Sequence, residues 1–257
     1  MMDKTQQGHV KAQFDNGLAR IEFYHPSHNS LPSNLLRQLS DTILEYGSRE
    51  DVKLILLKSA GDRSFCAGAS FDELAAIQDK DSGKRFFMGF AKVINAMRTC
   101  GKIVIVRVQG KAVGGGVGLA SSADYCLATK FASVKLSELA VGIGPFVIGP
   151  AVERKVGLAA FSQMALDATS WQDAYWAKQK GLYQEVFDTV EELDKALQEF
   201  CNTLLSMNPA ALQQLKEVFW QGTQDWNSLL ERRAEMSGEL VLSKFSKETI
   251  AGFLRKN

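Results

Sequence analysis

The stretch from Ile103 to Cys126 constrains this chain most. Ile103-Val-Ile-Val-Arg-Val108 reads as a buried strand, and Gln109-Gly110 ends it. Three consecutive glycines follow, Gly114, Gly115 and Gly116, and then small residues suited to a tightly packed helix. Glycine at a helix start frees the backbone to bend and lets another group approach bare N–H donors. Those donors lack intrahelical partners and carry partial positive charge. The stretch is therefore a candidate site for an anion, or for an oxygen that becomes anionic during a reaction. Close helix-on-sheet packing is the plainer alternative for a lone glycine cluster. Leu119 stands where a dinucleotide fingerprint needs its third glycine, no Gly-Lys-Ser/Thr follows, and G-x-S-x-G is absent.

The rest of the chain repeats this plan. Leu18–Tyr24 alternates, with Ala19, Ile21 and Phe23 on one face and Arg20 and Glu22 on the other. After the His25–Asn29 turn, Ser33 is the expected cap of a helix that Gly47 ends. Val52–Leu57 is nearly continuous in apolar residues, as a strand covered on both faces should be. It leads through Phe65-Cys-Ala-Gly-Ala-Ser70 to a helix start, where Ser70-x-x-Glu73 has the form of a capping box. A second helix is expected over Gly83–Met97. This weak repeat of strand, loop, glycine and helix points to a coil of strand–strand–helix units within one α/β body.

Further strands are expected at Asp124–Ala128, Val134–Leu136 and Tyr183–Phe187. Helices are expected at Pro150–Val156 and Leu158–Asp167, then from a Ser170 cap to Gly181. Beyond Thr189-x-x-Glu192, a second capping box, the pattern is helical, with caps at Asn208 and Ser246 and with Ile250 and Phe253 inward. The expected division is an α/β core over 1–195 and a helical region over 196–257.

A 257-residue chain with a net charge of +1 has none of the basic excess typical of nucleic-acid binding. Cys66, Cys100, Cys126 and Cys201 lack C-x-x-C spacing and read as reduced residues of a cytoplasmic protein. The first residues are polar and lack a signal-peptide core, and no apolar run is long enough to span a membrane. His9, His25 and His28 have no metal-ligand spacing with a Cys cluster, so no metal is expected.

Phe65–Ser70, the triple-glycine helix start and Glu138, taken in this order, resemble the crotonase superfamily, the enoyl-CoA hydratase/isomerase family. The likeness runs from the Ala19–Phe23 strand, through His25-Pro26 and Asn29-Ser-Leu31, to Lys247-Glu248 and Phe253. It implies a spiral of strand–strand–helix units with a helical C-terminal trimerisation region, and assembly as a homotrimer or homohexamer. The apolar tail positions Leu212, Leu215, Phe219, Trp220, Leu229 and Leu230 fit such contacts. It implies an acyl-CoA substrate with no separate cofactor, coenzyme A being part of the substrate. By motif position, the N–H groups of Ala67 and Gly115 would hold the thioester oxygen, and Glu138 would be the catalytic carboxylate. Cys66, Gly68, Ala69, Ser70, Gly114 and Gly118 would surround the substrate.

Two preorganised N–H donors suit an enolate, and an apolar pocket around Leu136-Ser-Glu-Leu-Ala140 should raise the Glu138 pKa. Gly118 stands where hydratases of the family carry a second Glu, and one turn along the helix it should face the same cavity as Glu138. One carboxylate suffices for a proton shuttle, so double-bond isomerisation leads, with 2-enoyl-CoA hydration as the alternative and an idle acyl-CoA or protein binder as a third. Gly142-Ile-Gly-Pro-Phe-Val147 also resembles the isomerases. Ser70 replaces a common Asp but caps equally well. Phe71, Leu74, Phe87 and Phe90 could line an acyl pocket or simply pack, and Arg63 could approach CoA phosphates or simply be solvated.

Overall fold

The computed structural model describes residues 8–255. The polar N-terminal stretch read above lies mostly outside them. Strands β1 (His9–Asp15) and β2 (Leu18–Tyr24) form a hairpin, followed by helix α1 (Ser33–Ser48). Then come β3 (Leu54–Ser59), β4 (Ser64–Cys66), α2 (Phe71–Ala75) and α3 (Lys80–Thr99). The central unit is β5 (Ile103–Val108), β6 (Lys111–Val113) and α4 (Gly115–Ser121). Strands β7 (Tyr125–Thr129) and β8 (Val134–Lys135) follow, then α5 (Gly149–Leu166), α6 (Ala174–Gln179) and β9 (Glu185–Phe187). The chain ends in α7 (Val190–Leu205), α8 (Pro209–Phe219), α9 (Trp226–Leu240) and α10 (Lys244–Leu254). No helix among the described residues is long and apolar enough to cross a membrane.

Three successive turns of the spiral, β3–β4, β5–β6 and β7–β8, each give one strand to each of two sheets. The larger runs β1-β2-β3-β5-β7-β9 and the smaller β4-β6-β8. Among the strand pairs of the described residues, only β1–β2 is antiparallel. The continuous apolar strands divide by period two. Ile55, Leu57, Val104 and Val106 enter the core shared with α1 and α3, whereas Leu54, Leu56, Ile103 and Ile105 enter a second cluster with Leu193, Leu197 and Leu212. Arg107, buried within β5, is held by Asp194 of α7, with Nη2 3.1 Å from Oδ2.

Helix α7 thus covers one sheet face, and the expected division after residue 195 falls inside it. The tail is also tied to the core by a buried ion pair. Lys216 Nζ donates to Asp124 Oδ2 at 2.7 Å and to the Met97 carbonyl at 2.6 Å, and Trp220 Nε1 donates to Asp124 Oδ1 at 2.7 Å. Leu212, Trp220 and Leu230 are buried within the chain, while Leu215 and Phe219 stay exposed and Leu229 is half-buried.

Several local expectations shift for identifiable reasons. Ser33 is the first residue of α1, with Pro32 at the cap. Ser70 does accept from the Glu73 N–H, but the capping box is not closed: Ser70 N–H already donates to Leu31 O, and Glu73 Oε2 instead takes Ser33 N–H at 2.9 Å. Gln172 is tied to Val134 by a bridge, so α6 starts only after Asp173, which caps it in place of Ser170. Ser243 rather than Ser246 caps α10, and Phe253 is exposed whereas Ile250 is buried. The two helices expected on either side of Gly157 do form, following one another within α5 across a kink at that residue, whose φ of 78° and ψ of 159° are not helical. Thr189 and Glu192 do form a complete capping box.

Candidate active site

The Ala67–Ala69 loop, the start of α4 and the 137–148 segment meet around a cavity of about 130 Å³. Ala67 follows β4, and Gly115 opens α4. Among the described residues neither N–H donates to a backbone acceptor. Two close approaches bring the loops together, and a third sets the start of α4 against Phe90 of α3. A side-chain carbon at Gly68 would meet Val113 O at 3.1 Å and Gly115 N at 3.7 Å. One at Gly116 would meet Cys66 Cβ at 2.8 Å, and one at Gly115 would overlap the Phe90 ring. Cβ-less residues are thus required for the α4 N-terminus to lie against the Cys66–Gly68 strand end.

Glu138 follows β8 by three residues and, with helical backbone angles, caps a 3-10 turn, Leu139–Val141. Its carbonyl accepts the N–H groups of Val141 and Ile143 at 3.1 and 3.0 Å, a turn that Gly142 permits with φ at 80°. The backbone is therefore fixed and the side chain reaches Gly114, whose φ is 51° and which has no Cβ to block it. The residue is only partly buried, yet its Oε2 is buried without a hydrogen-bond partner. Burial pushes the carboxyl pKa up from 4.5 to about 7, a rise that the residue's own backbone N–H only partly offsets.

Phe71, Leu74, Phe87 and Phe90 all line the cavity. So do Phe86, Val141, Ile143, Phe146 and Ile148, which the sequence reading did not assign, and Ser237, which α9 brings in. Helices α3 and α9 approach closely enough for this because Gly83 faces Gly238, where a side-chain carbon at Gly83 would lie 2.8 Å from the Gly238 Cα. The 142–147 stretch was visible as a motif, but nothing in it marks which side chains turn inward.

Gly68, Ala69 and Gly114 line the cavity with Ala67, Gly115 and Glu138. Cys66 is buried behind the loop, its thiol pushed up to about 12 by burial, and Ser70 is occupied as the α2 cap. Gly118 departs from expectation. It does not border the cavity beside Glu138: a side-chain carbon there would meet Ile148 Cγ2 at 2.5 Å and Cβ at 2.8 Å. Arg63 is exposed and away from the cavity.

A spiral of strand–strand–helix units, with a carboxylate facing the glycine-opened helix, defines the crotonase class of acyl-CoA enzymes. The chain belongs to the enoyl-CoA hydratase/isomerase family, whose model matches residues 13–257. It is 29% identical over 230 residues to the short-chain-enoyl-CoA hydratase of Clostridium acetobutylicum, covering 89% of this chain and 87% of that one. It is 27% identical over 225 residues to the peroxisomal Delta(3,5)-Delta(2,4)-dienoyl-CoA isomerase of Arabidopsis thaliana, covering 81% and 79%. The fold matches the crystal structure of an enoyl-CoA hydratase from Bacillus halodurans with a TM-score of 0.87, at 19% identity and covering 95% and 99% of the two chains.

Proposed function

We propose that this protein moves the double bond of a 3-enoyl-CoA into conjugation with its thioester. The observation that carries this reading is that Glu138 is the one acidic side chain lining the cavity among the described residues. The N–H groups of Ala67 and Gly115 hold the thioester oxygen. Glu138 takes a proton from C2, and the C2–H electron pair becomes part of a dienolate whose charge rests on that oxygen. The same carboxyl returns the proton to C4, the carbonyl re-forms and the double bond ends between C2 and C3. A single carboxyl near pH 7 can serve as base and then as acid. The two N–H donors stabilise the dienolate, each worth roughly 2.7–4 kcal/mol of barrier in comparable sites.

Hydration of a 2-enoyl-CoA is the second reading, favoured by the hydratase among the relatives. Assaying the wild type with 3-enoyl-CoA and 2-enoyl-CoA separates the two. Faster double-bond migration supports the isomerase reading, and faster hydration overturns it.

The reading extends to assembly as a homotrimer or homohexamer. Leu215, Val218 and Phe219 support it, being apolar, exposed and together on α8. Sedimentation at micromolar concentration should show a trimer or larger species, and a stable monomer would remove this part of the reading.

A further inference from the structure

Position 118 and Ile148 form a matched pair. Gly118 N–H donates to the Gly114 carbonyl at 3.2 Å, so the two residues stand one helical turn apart. Gly114 abuts Glu138 and Gly118 abuts Ile148. The Ile148 side chain therefore lies about one turn of α4 from the carboxylate, on the wall of the same cavity and in the space a side chain at 118 would enter. Ile148 is buried yet borders the cavity, with Val147, Phe146 and Ile143 on the same wall. A water molecule needs two to four polar partners and room to sit. The Ile143–Ile148 stretch of the wall carries no polar side chain.

We infer that Ile148 excludes water from the space next to Glu138 and so sets the partition between moving a double bond and hydrating one. This deepens the isomerase reading and rests on it. In hydration, water gives its oxygen to C3 and a proton to C2, and that oxygen must be held near the carboxylate. In isomerisation nothing is added, because the proton leaves C2 and returns at C4. An apolar side chain at the water position leaves the second path intact and blocks the first. Position 118 follows from the same geometry: a longer residue there fits only when Ile148 is cut back.

The test is the ratio of 2-enoyl-CoA hydration to 3-enoyl-CoA isomerisation in the wild type, Ile148→Ala and Ile148→Ala/Gly118→Glu. The ratio should rise roughly tenfold or more in Ile148→Ala and further in the double variant. An unchanged ratio in a folded Ile148→Ala protein overturns the inference, since a merely structural residue would lower both rates together. A second measurement needs no variant. When the wild type isomerises in D2O, most product should carry the substrate's own hydrogen at C4, because no solvent reaches the carboxyl during transfer. Complete exchange with solvent overturns the inference while leaving the isomerase reading standing. A wild type that hydrates faster than it isomerises overturns that reading instead. Ile148→Ala then decides the role of Ile148 separately, a raised ratio supporting it and an unchanged one removing it. Fast hydration by the wild type together with an unfolded variant overturns both.

Discussion

Gly114 presents a bare Cα to the carboxylate of Glu138: a side-chain carbon there would stand 2.8 Å from Oε1. Its backbone, at φ 51° and ψ −115°, is also one that residues with a Cβ rarely adopt. Gly114→Ala should therefore move either the carboxylate or the start of α4. The expected loss in kcat is roughly a hundredfold, the scale of a misplacement of about 1 Å in a reacting group. Steady-state kinetics on a variant with wild-type circular dichroism checks it, and near-normal kcat would show that the contact is not needed.

The raised carboxyl pKa fixes the pH dependence of turnover. In the proposed reaction Glu138 acts first as a base, so the free enzyme should be competent only with the carboxylate ionised. kcat/KM should rise with pH through an apparent pKa near the value of about 7 set by burial. A limb near the ordinary carboxylate range would mean that the group is solvated before substrate binds.

The same burial costs stability. The folded state holds the Glu138 proton between pH 4.5 and about 7, where the unfolded chain has lost it. Stability therefore falls as pH rises through that window, and the full cost applies above it. Glu138→Gln removes the charge, so the variant should be more stable than the wild type above pH 7 by up to about 3 kcal/mol, at about 1.4 kcal/mol per pKa unit. The difference should fade toward pH 4.5. Denaturation curves at several pH values check this, and a variant less stable at pH 8 would contradict it.

Much of the scaffold is legible in the sequence because its strands face apolar cover on both sides. Leu54–Leu57 and Ile103–Val106 are continuous apolar runs for that reason, and the division of each run between two cores needs no other signal. Caps were less legible. Ser170 and Asp173 offer similar local chemistry, and a distant bridge between Gln172 and Val134 decides between them. Ser243 and Ser246 pose the same choice, and Ser246 Oγ is drawn to the Gly142 carbonyl at 3.2 Å. Glu138 has no local mark that separates it from a solvated Glu, and only the family resemblance singled it out. Its burial comes from segments far apart in the chain. Gly118 was placed by counting turns along α4, but counting does not show that Ile148, thirty residues on, fills the space it faces.

In the proposed reaction the Glu138 carboxylate carries the proton. Kinetics of Glu138→Gln, together with the affinity for an unreactive acyl-CoA, test it most directly. Gln keeps the shape of the side chain and can still hydrogen-bond, but it loses the charge and with it the ability to accept the proton. kcat should fall by roughly two to four orders of magnitude while acyl-CoA affinity changes little. Retention of most of the wild-type kcat would contradict it, because the proton would then be carried by some other group.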